Sequence, residues 1–572
     1  MKSVKDKYLH HNLHIREIRD MLPDPALVDF PNSQKKAELI VQNILDGYRN
    51  KKKGQNTSVV CAEIGKKIQE LPFDLATYVI SSFYTKYLPG EYRSDMGIFY
   101  TPPTLVHRVL DVIESRKTKP WTRLTIIDPS CGGGAFLVPI VQRIIETEHP
   151  QPEELQEFIS NNLRGIEKDH FGSQLTEQFL QLLLENHFPG YSFDLTGVVA
   201  CQDSLKTSSK LYDSFDLVIG NPPYGRVKLS DRERNKWAES IYGHANFYGL
   251  FAHLGIKLLK KDGMMAYVMP ASFLGGRYFK KLRLLFLKEC PPIAADFIKQ
   301  RDGIFPDVLQ EVSLMYYKKY ACPRPRIDVN FLEAREIDDL RITPGGRYLI
   351  ATTDDSPWII PRNLDQLSAL SRLDRLATRL ADLGYKVSTG PLVWNRHKAQ
   401  LTSKRTKNNT VIIWAESLSP KVNGSFNWRS EGRNHLPYYK PHNPEDPNLI
   451  HKPCILLQRT TSIEQKRRLV WGIMDNDFIS KYPLGVAVEN HLNMIIPMKG
   501  QTPLIPLRTI AFILNQPIID KIFRSINGST AVSAFELSAI PLPDLKKLIA
   551  IDQLLNQQKY GEAESAFQSV YL

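Results

Sequence analysis

Two prolines directly follow an apolar run in the segment FDLVIGNPPYG, where Asn221, Pro222, Pro223 and Tyr224 come after residues 215–219. Proline fixes the backbone and has no amide donor, so the carbonyl of Pro222 is left as a rigidly placed acceptor. The side-chain oxygen of Asn221 is a second acceptor. Two acceptors aimed at one conjugated NH2 bind its hydrogens and draw the nitrogen lone pair out of conjugation. The motif therefore predicts chemistry on a planar amine.

The aromatic ring of Tyr224 is suited to a planar substrate. Stacking of a nucleobase on an aromatic side chain contributes roughly 1–3 kcal/mol. The alternative interpretation of the motif is a proline-stiffened turn that has no chemical role.

A second group of polar residues follows other apolar runs. Asp128 precedes a glycine-rich turn in IIDPSCGGGAF, and Glu167 and Asp203 each stand just past a further run. Ligands of open α/β sheets bind at the carboxyl ends of the strands, and a glycine turn lets the backbone approach them. A dinucleotide site would have a GxGxxG turn and an acid about 20 residues further on. This turn is not GxGxxG, and Glu167 lies 39 residues beyond Asp128, so a dinucleotide ligand is disfavoured. Another nucleotide-like ligand is expected.

The elements that must position these residues follow from the apolar pattern. Segments ELIVQNILDGY and FDLATYVISSFYTKYL have helical spacing, and HPQPEELQEFISNN predicts an inserted helix. Short apolar runs alternating with helical segments predict a doubly wound parallel sheet. Seven strands are expected, at 124–128, 163–167, 197–201, 215–219, 264–269, 294–298 and 312–317.

The alternation is lost after Tyr320, where proline- and glycine-rich stretches such as CPRPR and TPGGR appear. The runs VIIWAES, CILLQRT and NMIIPM predict strands of a mixed α+β domain. We therefore expect a helical N-terminal extension at 1–92, an α/β domain at 93–325 and a further domain at 326–572.

The net charge of +13 predicts a polyanionic partner. Residues 391–470 hold fourteen Lys and Arg against five Asp and Glu, together with five Trp and Tyr between 394 and 439. A solvated basic surface is the alternative.

With no apolar run of about 18 residues and no apolar leader, a cytoplasmic protein is expected. The six cysteines show no zinc-binding spacing.

The order of these motifs resembles that of the gamma-class DNA amino-methyltransferases of bacterial restriction-modification systems, the TaqI type. The resemblance covers about 95–320 and includes the segment GIFYTPPTLVHRVLDVI. It implies a seven-stranded Rossmann-like domain that transfers a methyl group from S-adenosylmethionine to the N6 amine of an adenine flipped out of duplex DNA. Residues 326–572 would then be the target-recognition domain.

The resemblance also implies residue roles. Thr101 belongs to the segment that closes over the methionine part of the cofactor, Glu167 binds the ribose and Asp203 the adenine. Phe305 stacks on the flipped base opposite Tyr224, or else is a core residue before a strand. The full cofactor set is Thr101, Asp128, Pro129, Cys131, Gly132, Gly134, Glu167, Asp203, Ser204 and Asn221.

A fainter resemblance in VSTGPLVWNRH, VENHLNMIIPM and INGSTAVSAFELSAIPLP extends to the specificity domain of the same family. Basic side chains near these turns fit phosphate contacts, with a solvated basic loop as the alternative. The residues expected to bind DNA are Arg396, Arg459, Lys466, Arg467 and Arg468.

Other functions stay open at this point. NPPY also occurs in methyltransferases acting on a glutamine of protein release factors or on RNA, and cytosine-N4 enzymes more often carry serine in place of the asparagine. A modification subunit that borrows its specificity is a further alternative. A fused nuclease is disfavoured, because 1–90 lacks a D…(D/E)xK arrangement. A separate cognate endonuclease is an open partner, and a monomer is expected, with a dimer as the alternative.

Overall fold

The computed structural model forms two compact units. The first unit is Met1–Pro270 with Lys281–Tyr348, and the second unit is Ala271–Lys280 with Leu349–Leu572. The structure describes residues 15, 17–18, 20–21, 33–49, 59–96, 100–298, 311–320, 322, 324–336, 339–350, 356–370, 373, 376–421, 424–428, 435–462, 465–527 and 530–571. Phe305 lies outside these described residues.

A nine-stranded sheet forms the centre of the first unit. Its strands are β1 Ile126–Asp128, β2 Leu163–Glu167, β3 Val199–Cys201, β4 Phe215–Gly220, β5 Leu259–Pro270, β6 Pro292–Ile298, β7 Val312–Lys318, β8 Arg326–Glu336 and β9 Asp339–Leu349. The spatial order is β9-β8-β6-β7-β5-β4-β1-β2-β3. Strands β3, β2, β1, β4 and β5 are mutually parallel, and β7 runs antiparallel to both of its neighbours.

The chain reverses its direction of travel across the sheet next to β1. It moves outward from β1 to β2 and β3, then returns to place β4 on the other side of β1. Such a switch point leaves a crevice at the carboxyl ends of the two strands. Both strands are central and almost completely buried, which explains why their sequences are continuous apolar runs. The seven expected strands and the Rossmann-like class are confirmed.

Helices surround this sheet. They are α1 Ser33–Tyr48, α2 Val59–Ile68, α3 Phe73–Tyr87, α4 Gly90–Met96, α5 Pro103–Glu114, α6 Leu137–Glu148, α7 Pro152–Asn162, α8 His170–His187, α9 Asp231–Lys236, α10 Phe247–Leu258 and α11 Lys280–Glu289. The expected N-terminal and inserted helices correspond to α1, α3 and α7. Apolar residues of α1 to α3 share one core with the sheet.

Two small sheets and a group of helices form the second unit. One sheet has the order β10-β18-β15-β16 and the other β11-β13-β12-β17-β14. These strands are β10 Tyr385–Thr389, β11 Leu401–Thr402, β12 Thr410–Ile413, β13 Tyr438–Tyr439, β14 Leu449–Ile450, β15 Cys454–Gln458, β16 Trp471–Met474, β17 Val486–Val488 and β18 Leu492–Pro497. The longer helices are α12 Leu507–Asn515, α13 Pro517–Ile526, α14 Ala534–Ser538, α15 Leu545–Asn556 and α16 Tyr560–Tyr571, and the short ones are Ser272–Gly275, Leu367–Leu370 and Asn476–Ile479.

The units divide differently from the expected domains. Strands β8 and β9 extend the central sheet, so the first unit continues to Tyr348 and does not end at 325. The N-terminal helices belong to the same unit, because they are packed into its core. In the described part of the chain, no helix combines the length and apolar character that a membrane span requires.

Candidate active site

A cavity opens at the carboxyl ends of β1, β2 and β4 in the first unit. Its lining includes every residue expected to bind the cofactor except Gly134, namely Thr101, Asp128, Pro129, Cys131, Gly132, Glu167, Asp203, Ser204 and Asn221. Strands that are adjacent in the sheet bring these residues together, although 120 positions separate Thr101 from Asn221. Gly134 instead has φ +79° and shapes the turn before α6.

Asp128 is the most deeply buried acid of the cavity wall, with 1% of its surface exposed. Its Oδ1 accepts a hydrogen bond from the Ser130 amide at 2.9 Å. Burial raises the pKa of Asp128 to about 8, because few groups compensate the lost hydration of its charged form. Gly220 at the end of β4 permits this approach, since a Cβ there would lie 2.5 Å from Oδ1 of Asp128. A cationic ligand group would complement this carboxylate.

Glu167 holds the glycine-rich turn against the end of β2. Its Oε2 accepts from the Gly132 amide at 2.8 Å, and its Oε1 accepts from the Asp169 amide at 2.7 Å. Burial raises the pKa of Glu167, while these backbone hydrogen bonds act in the opposite direction. Gly132 has φ +53°, a left-handed conformation that favours glycine. The turn therefore depends on both the acid and the glycine.

The hydroxyl of Thr101 is an orphaned polar atom in the cavity wall. Thr101 is only 3% exposed, and its Oγ1 has no hydrogen-bond partner among the described residues. A buried hydroxyl without a partner carries a desolvation cost of about 1–3 kcal/mol, which a polar ligand group would offset. Across the cavity, Ser204 Oγ donates to the Pro129 carbonyl, and Asp203 Oδ1 accepts from the Leu205 amide.

Asn221 and Tyr224 contact each other at the end of β4. The Tyr224 hydroxyl donates to Oδ1 of Asn221 at 3.0 Å and also lies 3.2 Å from the Val268 carbonyl. This donor orients the Asn221 amide. Within the described residues, the carbonyl of Pro222 accepts no hydrogen bond. The Pro222 carbonyl is thus an open acceptor next to Asn221, which lines the cavity.

Sequence reasoning missed several residues of the cavity wall. Leu205, Phe247 and Phe251 provide an apolar surface that suits a purine ring, and Tyr100 and Asp169 also line the cavity. Phe247 and Phe251 are four residues apart on α10, so they lie on one helix face. That spacing, which begins 23 residues after Tyr224, was the available signal for them. Tyr100 directly precedes Thr101, and Asp169 is two residues after Glu167.

These observations fit S-adenosylmethionine. The ligand carries a cationic sulfonium and an amino group, ribose hydroxyls and a purine. The cavity offers a buried carboxyl at Asp128, an unpartnered hydroxyl at Thr101 and an apolar wall at Leu205, Phe247 and Phe251. The cation, a polar group and the purine of the ligand therefore each have a chemical counterpart in the wall.

The second unit brings together the three C-terminal motifs. Backbone hydrogen bonds join Leu392 to Val488 and Asn490, and Val532 to Arg459. We call residues 390–396, 459–462, 488–491 and 530–532 the C-terminal loop cluster. Arg459 Nη1 donates to the Asn490 carbonyl at 3.0 Å, so this arginine braces the cluster.

Three of the five residues expected to bind DNA make structural hydrogen bonds, Arg459 among them, and two are exposed. Arg468 is 1% exposed, and its Nε donates to Thr461 Oγ1 at 2.9 Å, so it cannot reach a phosphate. Arg467 donates to the Leu514 and Asn515 carbonyls, which are the unpaired acceptors at the end of α12. Arg396 and Lys466 are exposed. The sequence identifies these residues as basic, but it does not show which side chains are exposed and which make structural hydrogen bonds.

Comparison with known proteins finds similarity to a restriction-modification methylase family and to Type II methyltransferases. Residues 142–302 match the family model described as Eco57I restriction-modification methylase. The Type II methyltransferase M.PstI of Providencia stuartii is 27% identical over 392 residues, 67% of this chain and 70% of the relative. M.BsuBI of Bacillus subtilis, also a Type II methyltransferase, is 22% identical over 489 residues, 82% of this chain and 93% of the relative.

A solved structure is similar over nearly the whole chain. The Type IIL restriction-modification enzyme MmeI in complex with DNA aligns with a TM-score of 0.50 and 12% identity. The alignment covers 98% of this chain and 93% of that one. At this identity the similarity concerns the fold.

Proposed function

We propose that this chain, an S-adenosylmethionine-dependent methyltransferase of the restriction-modification type, methylates the N6 amine of a flipped-out adenine in duplex DNA. The observation that carries the proposal is the position of Asn221. Its side chain stands at the end of β4, and the same residue lines the cavity with Asp128, Thr101 and Glu167. The proposed amine acceptors therefore lie beside the proposed cofactor-binding groups, at the end of β4.

The cavity residues would hold the cofactor as follows. Asp128 and Thr101 meet its polar methionine part, Glu167 and Asp203 its ribose and adenine, and the apolar wall covers the purine face. Bound S-adenosylmethionine supplies a methyl group on a positively charged sulfur, which is already activated for transfer. The protein then has to position the amine and exclude water.

The residues of the NPPY motif act on the target amine. Asn221 Oδ1 and the Pro222 carbonyl accept its two hydrogens, which directs the nitrogen lone pair toward the cavity. Pro223 keeps this strand end rigid, and the Tyr224 hydroxyl fixes the Asn221 amide. Acceptors fixed in advance avoid reorganisation when positive charge develops on the nitrogen.

Access to the amine requires the base to leave the duplex, since pairing and stacking enclose it. The ring of Tyr224 provides one stacking surface, and we assign the opposite surface to Phe305. Extrusion costs a few kcal/mol, and stacking on the protein offsets part of that cost.

We assign sequence recognition to the second unit. Exposed cations such as Arg396 and Lys466 would bind phosphates, and the C-terminal loop cluster would meet base edges. At that cluster, Nδ1 of the exposed His491 lies 2.8 Å from Oε1 of the fully buried Glu489, which fixes the ring orientation. The chain would modify DNA as a monomer, and a cognate endonuclease would act as a separate protein in the same cytoplasm.

The test uses the purified chain alone, with methyl-labelled S-adenosylmethionine and plasmid DNA. Digestion to nucleosides and mass spectrometry should find label in N6-methyladenine. Sequencing with modified-base detection should place that label at one recognition sequence. RNA and release factors should remain unlabelled.

Three outcomes would contradict the proposal at different levels. Label in N4-methylcytosine would overturn the choice of base. Label that appears only after a second chain is added would show a modification subunit with borrowed specificity. Label in RNA or protein but not in DNA would overturn the substrate class.

A further inference from the structure

The wall of the cavity contains one acid to which neither the sequence nor the comparisons give a role. Asp169 is 2% exposed and precedes α8, where its Oδ2 accepts a hydrogen bond from the Gly172 amide at 2.7 Å. It thereby caps the N-terminus of that helix. Both Asp169 and Gly172 line the cavity.

Two tyrosines of the N-terminal helices also bind this carboxylate. The Tyr84 hydroxyl of α3 donates to Oδ2 at 3.0 Å, and the Tyr92 hydroxyl of α4 donates to Oδ1 at 2.7 Å. Gln34 of α1 in turn donates to the Tyr92 oxygen at 3.2 Å, so the Tyr92 proton is directed to Asp169. Burial and the neighbouring Asp169 raise the pKa of both tyrosines, which keeps both hydroxyls protonated as donors.

The position of Asp169 is coupled to the glycine-rich turn. Its backbone amide donates to Glu167 Oε1, and Glu167 Oε2 accepts from Gly132 at the turn itself. On the other side of the turn lies the ring of Tyr100, within 3.2 Å of the point where a Gly132 Cβ would stand. A displacement of Asp169 would therefore move the Glu167 carboxylate and the turn together.

We propose that Tyr84 and Tyr92 are positioning residues for cofactor binding, acting through Asp169 on Glu167 and the glycine-rich turn. The proposal rests on the cofactor site described above, and it is independent of which base is methylated. The proposal gives helices α3 and α4 a function in cofactor binding. A purely structural role would affect stability without a selective effect on the cofactor.

The experiment compares Tyr84→Phe, Tyr92→Phe and the double variant with a matched control, Tyr316→Phe. The Tyr316 hydroxyl donates to Oδ2 of the buried Asp296 at 3.1 Å, which is the same kind of pair in the same unit. Neither residue of that control pair lines the cavity. Calorimetry measures the Kd for S-adenosylmethionine, a mobility-shift assay measures the Kd for DNA, and thermal melting measures stability.

Loss of both hydroxyls should weaken cofactor binding about tenfold, which is the effect of two ordinary hydrogen bonds at the lower end of their usual net worth. The Kd for DNA and the kcat at saturating cofactor should change less than about twofold. Tyr316→Phe should lower the melting temperature and leave cofactor affinity unchanged.

An unchanged cofactor Kd in the double variant would overturn the proposal. So would equal losses of cofactor affinity in the double variant and in Tyr316→Phe. If the double variant does not fold, the two single variants decide, with a loss of about threefold expected for each. Failure of adenine methylation by the unmodified chain would not alter these binding constants, so the two proposals fail separately.

Discussion

At the residue scale, the candidate active site contains two acids, Asp128 and Glu167, whose pKa is raised by burial. Asp128 and Glu167 could be identified from sequence, because each directly follows an apolar strand. The link from Tyr84 to Asp169 could not, since it joins residues 85 positions apart on separate helices. A local pattern thus identifies strand-end acids but not the side chains that hold them.

Asp128→Asn should stabilise the protein in the absence of cofactor and should weaken cofactor binding. The unfolded carboxyl ionises above about pH 3.9, whereas burial raises the folded pKa to about 8. Native stability is therefore lost progressively as the pH rises from about 4 to 8, and the asparagine variant escapes this loss. Its advantage in melting temperature should grow over that window, by about 2–4 °C for each kcal/mol.

Scanning fluorimetry between pH 5 and 9 provides the measurement, with the exposed Asp194→Asn as the control. Parallel profiles for wild type and Asp128→Asn would show that this carboxyl does not titrate in the predicted range. Calorimetry at pH 8 should show weaker cofactor binding by Asp128→Asn and unchanged binding by the control.

Asn221→Ala should separate cofactor binding from methyl transfer. The variant removes an acceptor that we propose for the amine, so we expect kcat to fall about 10²–10³-fold, the usual effect of losing one preorganised polar contact. The Kd for S-adenosylmethionine should stay within about twofold, because Asp128 and Thr101 are retained. Single-turnover methylation and calorimetry make the comparison, with the exposed Asn161→Ala as the control. Full transfer by Asn221→Ala would refute the role of its side chain.

At the element scale, the central strands could be predicted because buried parallel strands read as continuous apolar runs. Strands β8 and β9 were not predicted, since proline- and glycine-rich stretches flank and interrupt them. The signal that remained was alternation, because Ile327, Val329 and Phe331 are buried at every second position of β8. This pattern is typical of a strand with one buried face. The neighbouring proline and glycine residues obscured it in the sequence.

Two nearby basic residues should give opposite phenotypes because they belong to different environments. Arg468→Ala removes a buried guanidinium that donates to Thr461 and contacts the Phe523 ring at 5.9 Å, so it should destabilise the second unit by about 2–4 kcal/mol. Lys466→Ala changes an exposed side chain, so stability should change by less than about 0.5 kcal/mol. Its effect should fall on DNA affinity.

Urea unfolding and DNA titration of the two variants test this contrast. Each variant is the control for the other, since both remove one positive charge. If Lys466→Ala leaves DNA affinity unchanged, the surface at this residue does not contact phosphate. If Arg468→Ala is as stable as wild type, its buried contacts do not stabilise the unit.

At the scale of the whole molecule, composition predicted the kind of partner but not its position. The charge of +13 indicates a polyanion, and the fourteen cations at 391–470 indicate the second unit. Only the fold shows which cations are exposed. From its charge alone, Arg467 was expected to bind phosphate. Its hydrogen bonds show that it instead contacts the last carbonyl groups of α12.

The affinity for DNA should depend steeply on salt, whereas the affinity for the cofactor should not. Each phosphate contact releases counterions and contributes about −0.9 to the slope of log K against log salt. With six or more contacts, affinity should fall about 10³-fold or more between 50 and 200 mM salt. In the proposed site the cofactor instead binds among buried groups such as Asp128 and Thr101, where screening is weak, so its Kd should change by less than about twofold. Lys466→Ala should reduce the DNA slope by about one. A slope near zero for the unmodified chain would mean that its excess positive charge serves a purpose other than holding phosphates.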